Sequence, residues 1–212
     1  TRQQGRGNVV VHQQRFHSAA NAVAIGLGVN GHIVRHVEIG VAVDVQVAVA
    51  VQVFDQGYFG VGAQASDHGL AATRHDYSGH GESAGELTEG TISRWLEESL
   101  AVFRRFTKGR QVLVGSSMGG WIALRMVQEL QKAGEGERVA GLMLLAPAPD
   151  FTVELMEPEL TDAQRRALET QGYFEETSEY SDEPNIYTKA LFDDGRANRV
   201  LEGIIDTHCP VH

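Results

Sequence analysis

Gly115-Ser116-Ser117-Met118-Gly119 is the segment of this sequence best suited to covalent chemistry. A serine hydroxyl becomes an acyl acceptor when its backbone holds it clear of its neighbours and an N–H waits where negative charge will develop. G-x-S-x-G alone is weak evidence. Here an apolar run, Gln111-Val112-Leu113-Val114, precedes it, and helical spacing follows through Met118, Ile122, Ala123, Met126, Val127 and Leu130. Strand, tight turn and helix are the context in which the motif acquires a mechanism. Gly115 and Gly119 let the two backbone segments approach, the turn lifts Ser117 above the strand, and the N–H of Met118 points to where an oxyanion would form. The start of the helix adds partial positive charge there. Ser117 is therefore the candidate nucleophile and Met118 the candidate oxyanion donor. Ser116 lacks the flanking glycine symmetry and is read as structural.

The elements that must hold this turn are legible around it. Gly134 and Gly136 stop the helix, and Val139 to Ala146 is a second apolar strand closed by Pro147 and Pro149. Strand, helix and strand within about 35 residues predict a βαβ unit, and hence a mostly parallel sheet flanked by helices. Trp95 to Phe106 carries an apolar helical stripe. Beyond Asp150 the pattern changes to short acidic helices. Thr161 and Gln164 form a capping box for a helix ending near Gly172, and a second helix is predicted from about Pro184 to a stop at Gly195. Residues 151–205 are expected to form a helical lid, with surface helices that only cover the sheet edge as the competing reading.

Residues 71–212 read as a conventional α/β domain, and residues 1–70 differ from them. The first 70 residues contain 15 Val and only two Leu, and no Lys, Pro or Trp. Val recurs at every second position from Val41 to Val53, which reads as a strand or hairpin. This composition predicts that 1–70 is not the natural start of such a domain.

Composition sets further bounds. The 212 residues carry 42% apolar and 22% charged side chains, as in globular proteins. Net charge is −10. Residues 1–70 balance four Arg against four acids, so 71–212 hold the excess, with 18 − 4 = 14 basic and 28 − 4 = 24 acidic side chains. That balance argues against a nucleic-acid partner. No apolar run reaches the ~18 residues needed to span a bilayer. The single cysteine, Cys209, gives no disulfide framework, and with no secretory signal read the expected location is cytoplasmic.

Several blocks in order carry a family resemblance: Asp76-Tyr77-Ser78-Gly79-His80-Gly81-Glu82-Ser83, then Gly115 to Trp121, Ala146-Pro147-Ala148-Pro149-Asp150-Phe151, Asp193-Asp194-Gly195-Arg196, and Cys209-Pro210-Val211. On these, residues 74–212 resemble the serine α/β-hydrolases, in the branch of small bacterial enzymes related to mitochondrial palmitoyl-protein thioesterase and acyl-glucuronide esterase. The resemblance implies an α/β-hydrolase fold, here incomplete, and hydrolysis of an ester or thioester through an acyl-enzyme on Ser117. It implies no metal and no organic cofactor, with a small acyl ester, an acyl thioester or an acylated protein as substrate. It also implies that the Asp76–Ser83 loop helps to shape the floor of the site; a glycine turn with no substrate contact is the competing reading. The catalytic acid would follow the strand beginning at Cys209-Pro210-Val211 and the base one strand later. Both are therefore expected beyond His212, and the 212-residue chain is expected to turn over esters at no more than trace rates.

Three rival readings have residues of their own. Ser117, Asp150 and His208 or His212 keep the order Ser…Asp…His, but Asp150 reads better as a cap or lid anchor, and a histidine so near the end is poorly fixed. Gly26-Leu27-Gly28-Val29-Asn30-Gly31, with Asp44 downstream, fits G-x-G-x-x-G and would need a helix directly after it to bind a dinucleotide. His32 and His36 are spaced for a metal only on a helix, and no third ligand accompanies them. The remaining alternative is a hydrolase-like binding protein without catalysis, since acid, base and second oxyanion donor are not visible.

Overall fold

The computed structural model describes residues 71–177 and 184–212, together with the backbone of four strands within the first 49 residues. Those strands are β1 (Val11–Gln14), β2 (Val23–Val29), β3 (His32–Ile39) and β4 (Val45–Val49). They are followed by β5 (Ala72–His75), β6 (Arg110–Ser116) and β7 (Val139–Leu145). One five-stranded sheet runs β1-β5-β4-β6-β7. β1 is antiparallel to β5, and every other neighbour in the sheet is parallel. The alternating-valine stretch thus contributes β4, whose Val47 and Val49 pair with Val112 and Val114 beside the candidate turn. The chain end extends the sheet past β7. Val211 bridges to Leu142, the Leu142 N–H donates to the Pro210 carbonyl (2.9 Å), and the Leu144 N–H donates to the His212 carbonyl (2.7 Å).

Helix α1 (Ile92–Phe106) begins where Thr91 Oγ1 accepts the Arg94 N–H, and it buries most of the predicted stripe, Trp95, Leu96, Leu100, Val102 and Phe103, while Phe106 at its end is exposed. Helix α2 (Met118–Lys132) is apolar on most of its surface. Trp121, Ile122, Ala123, Met126, Val127 and Leu130 are all buried in the core formed with α1, Leu113 and Leu142. Gly134, at φ 74°, follows its end, as the sequence predicts.

The segment after Asp150 departs from the all-helical expectation. A π-turn over Thr152–Met156 and a single turn over Glu157–Glu159 lead to α3 (Asp162–Thr170). The capping box forms as predicted: Thr161 Oγ1 accepts the Gln164 N–H (3.2 Å), and Gln164 Oε1 accepts the Thr161 N–H (2.9 Å). An antiparallel hairpin then appears, β8 (Tyr173–Glu176) with β9 (Asn185–Thr188), burying Phe174 against Leu168, Tyr187 and Phe192.

Helix α4 starts at Lys189 rather than near Pro184 and runs to Ala197, capped by Thr188 Oγ1 on the Leu191 N–H (3.1 Å). Gly195 does not stop it. The residue lies inside α4 because a Cβ there would come within 2.3 Å of Thr152 Oγ1 and 3.3 Å of the Trp121 ring, so close packing of the helix requires glycine.

The dinucleotide and metal readings meet the backbone directly. Gly26 to Val29 lie within β2, which pairs with β3 as an antiparallel hairpin with a register shift at Leu27/Gly28, so β3 follows where a helix is needed. Asn30, Gly31 and Asp44 lie outside the described residues. His32 and His36 sit four residues apart on a strand, about 13 Å by strand rise, where a helix would bring them within reach of one ion. Among the described residues, no helix is long and apolar enough to cross a membrane.

Candidate active site at the end of β6

β6 delivers the chain to a turn of one residue. Ser117 has φ 50° and ψ −124°, a combination that a non-glycine residue adopts only under constraint. Three contacts supply that constraint. The Ser117 N–H donates to the Leu145 carbonyl (3.1 Å), and the Ser117 carbonyl accepts from both the Gly120 N–H (2.9 Å) and the Ala148 N–H (3.0 Å). The glycines are sterically required. A Cβ on Gly115 would sit 2.4 Å from the Gly119 carbonyl oxygen, and one on Gly120 would sit 2.6 Å from Pro147 Cβ. Ser116 is still strand, in register with Leu145. Only Ser117 occupies the corner.

Met118 is the first residue of α2. Its N–H is therefore among the first-turn donors that no intrahelical carbonyl can accept, at the positive end of the helix dipole. Among the described residues, no side chain hydrogen-bonds the Ser117 hydroxyl.

The other sequence candidates lie elsewhere. Asp150 is fully buried, and its carboxylate is occupied. The Val200 N–H lies 2.9 and 3.0 Å from its two oxygens, and the Leu201 N–H donates at 2.8 Å. It anchors the exit of the lid segment and does not meet a histidine. His208 pairs with Asp206 (3.2 Å), whose carbonyl accepts from Gln131 in the last turn of α2. Fourteen helical residues, about 20 Å, separate that turn from the Ser117 corner. The Ser117, Asp150 and His208 set is thus not assembled, and His212 is committed through its backbone to the strand beside β7.

The Asp76–Ser83 loop closes on itself. The Glu82 N–H donates to Asp76 Oδ2 (3.0 Å), and Ser83 Oγ donates to the Asp76 carbonyl (2.8 Å). His80 lies edge-on to Trp95, with centroids 5.1 Å apart, and Trp95 Nε1 donates to the Ser78 carbonyl (3.1 Å). Gly81 is required at φ 52°, where a Cβ would meet the Asp76 carboxylate at 2.5 Å.

Sequence reasoning passed over one histidine near this end of the sheet. Val47 pairs with both Ala72 and Val112, which places His75 in the row of Gly115 two strands away, about 10 Å across the sheet. Its Nε2 faces Ser99 Oγ at 3.3 Å, and its ring stands edge-on to Tyr77. Burial pulls its pKa down to about 4, against the opposing charges of Glu98 and Asp76. The imidazole is therefore neutral at pH 7.

In the unfolded chain His75 titrates near its ordinary value of 6.5, so between that pH and about 4 the unfolded state binds the extra proton. The stability His75 contributes is complete above pH ~6.5 and is lost as pH falls towards 4. Urea unfolding of His75→Gln is expected to show a shallower loss of stability over this interval than the parent. Equal pH slopes would contradict the assignment.

The profile of the family described as serine aminopeptidase, S33, matches residues 56–197. The human mitochondrial palmitoyl-protein thioesterase ABHD10 is 30% identical over 145 residues, 68% of this chain and 45% of that protein. The mouse protein of the same name is 31% identical over 144 residues, 68% of this chain and 46% of that protein. The chain spans about half the length of the curated relatives it matches. A solved hydrolase-type protein from Agrobacterium vitis S4 is 43% identical with a TM-score of 0.76, covering 97% of this chain and 78% of that one. Mouse alpha/beta hydrolase domain-containing protein 10 superposes with a TM-score of 0.70 at 21% identity, covering 100% of this chain and 74% of that one. The fold is that of the α/β-hydrolases.

Proposed function

The chain belongs to the serine aminopeptidase S33 family of α/β-hydrolases, and from that premise we propose that it carries the nucleophile of a serine hydrolase acting on esters or thioesters. The observation that carries this reading is the Ser117 corner itself. A left-handed serine is locked between a strand and the first N–H of a helix by three hydrogen bonds.

In this reading Ser117 Oγ adds to an acyl carbonyl carbon as its proton passes to a base, and the carbonyl oxygen takes the negative charge. The Met118 N–H donates to that oxyanion. Collapse breaks the bond to the alcohol or thiol, which leaves with a proton, and water then releases the acid from the acyl-enzyme. The Asp76–Ser83 loop would border the same end of the sheet.

Substrate class is supported by the thioesterases among the curated relatives. The test is a comparison of p-nitrophenyl esters, acyl thioesters and an aminoacyl p-nitroanilide. Acyl transfer to Ser117 from the first two, as a slow single turnover or at trace rates, and none from the anilide is expected. Cleavage of the anilide alone would replace this reading with an aminopeptidase. No acyl transfer from any of them, with the fold intact, would favour a binding protein.

A further inference from the structure

Asp150 stands two residues beyond Ala148, whose N–H holds the Ser117 carbonyl. Ala146 (φ 43°) and Asp150 (φ 54°) are both left-handed, and they bracket Pro147-Ala148-Pro149. Between them, Ala148 donates to the Ser117 carbonyl (3.0 Å) and Pro147 fills the space beside Gly120. The bend therefore touches the Ser117 corner directly. At its far end the bend is fixed by Asp150 and by the adjacent Phe151, whose ring packs edge-on against Trp121 at 5.7 Å. The carboxylate takes the N–H groups of Val200 and Leu201, and the Asp150 carbonyl takes those of Val153 and Glu154 (both 2.9 Å). One buried side chain thus joins the entry of the lid segment to its exit, and the bend it terminates holds the strained serine.

We propose that Asp150 is a positioning residue for Ser117: its carboxylate, held by the backbone at 200–201, fixes the 146–150 bend and through it the Ser117 corner. A left-handed serine persists only when its surroundings over-determine it. Loosening one of the determinants shifts the corner without a change in any group that touches substrate. The lid exit and Ser117 are thereby mechanically linked, and the link is reciprocal. This inference rests on the reading of Ser117 as the reacting residue, but the linkage itself is measurable without any chemistry at that hydroxyl.

Asp150→Asn keeps the volume and replaces one accepting oxygen with an NH2 that faces a donor. In amide hydrogen exchange on the full chain, exchange is expected to accelerate at least ~10-fold at Val200 and Leu201, and also at Ser117 and Ala148. Amides in the middle of α1 should be unchanged. Arg199→Gln removes the neighbouring exposed ion pair with Glu154 (2.7 Å) and should leave Ser117 and Ala148 unaffected. Should Asp150→Asn fail to fold, Gly120→Ala pushes on Pro147 from the other side. By reciprocity it should speed exchange at Val200 and Leu201 as well as at Ala148. Acceleration confined to 200–201 in Asp150→Asn, or to Ala148 in Gly120→Ala, overturns the proposal. The rate of fluorophosphonate capture by the parent protein then separates the two ideas. Coupled exchange with no capture refutes Ser117 as nucleophile and leaves the linkage standing.

Discussion

Ser117→Ala is expected to abolish covalent capture by a fluorophosphonate, whereas Ser116→Ala retains it. The two residues are adjacent, yet their backbones differ in kind. Ser116 is the last strand residue, paired with Leu145, so its side chain follows the pleat of β6. Ser117 alone has the left-handed φ that turns the chain into α2. Deleting its hydroxyl removes one small group from a corner that backbone contacts hold, so thermal stability should barely change. Where an ester is turned over, that turnover should be lost, and the drop nears about a millionfold only where a base and an acid act with Ser117 as a unit. Mass mapping of the phosphonylated peptide distinguishes the two serines. Equal capture by both variants would place the reacting group elsewhere.

The largest expected effect on stability is at Trp121. The side chain is fully buried on the first turn of α2, edge-on to Phe151 with centroids 5.7 Å apart, and its Nε1 donates to the Asn198 carbonyl (3.0 Å). Trp121→Ala opens a cavity between the core and the lid segment and leaves that carbonyl without its donor. A loss of about 3–5 kcal/mol is expected. For a domain of this size that lowers Tm by roughly 6–20 °C. Trp121→Phe keeps most of the volume and should recover more than half of the loss. A fall of only a degree or two in the alanine variant would show that the lid segment is not packed on the core through this ring.

The parts of the molecule that sequence made legible are those in which local spacing and tertiary packing agree. The Gln111–Ala146 unit was readable because an apolar strand, a glycine corner and a 3.6-residue stripe each have one good structural solution, and all three are compatible. The Thr161 capping box was readable because both of its hydrogen bonds are local. The hairpin β8–β9 was not, because Phe174 and Tyr187 find their partners in Leu168 and Phe192 across the lid, and no local spacing reports that contact. Gly195 misled for a related reason. Glycine at a helix end and glycine under a neighbouring ring look alike in one dimension. At the candidate site Ser117 and Met118 were visible from the motif. The bend at 146–150 was visible only as a pair of prolines, and its hold on Ser117 is a hydrogen bond from the Ala148 N–H that no local spacing reports.

The order of strands in the sheet sets the order in which it can be assembled. α1, β6, α2 and β7 are consecutive along the chain, so their contacts close short loops. β4 is different. It is made early in synthesis but lies between β5 and β6, with Val49 paired to Val114, 65 residues later. Loop-closure entropy delays such a pairing until the later unit offers a template. Until then a valine-rich strand emerges from the ribosome with both edges unpaired, the condition in which a chain adheres to copies of itself. Yield in a cell would accordingly depend on how fast residues 50–114 follow, and on chaperones that bind extended apolar segments, more than on the stability of the finished sheet.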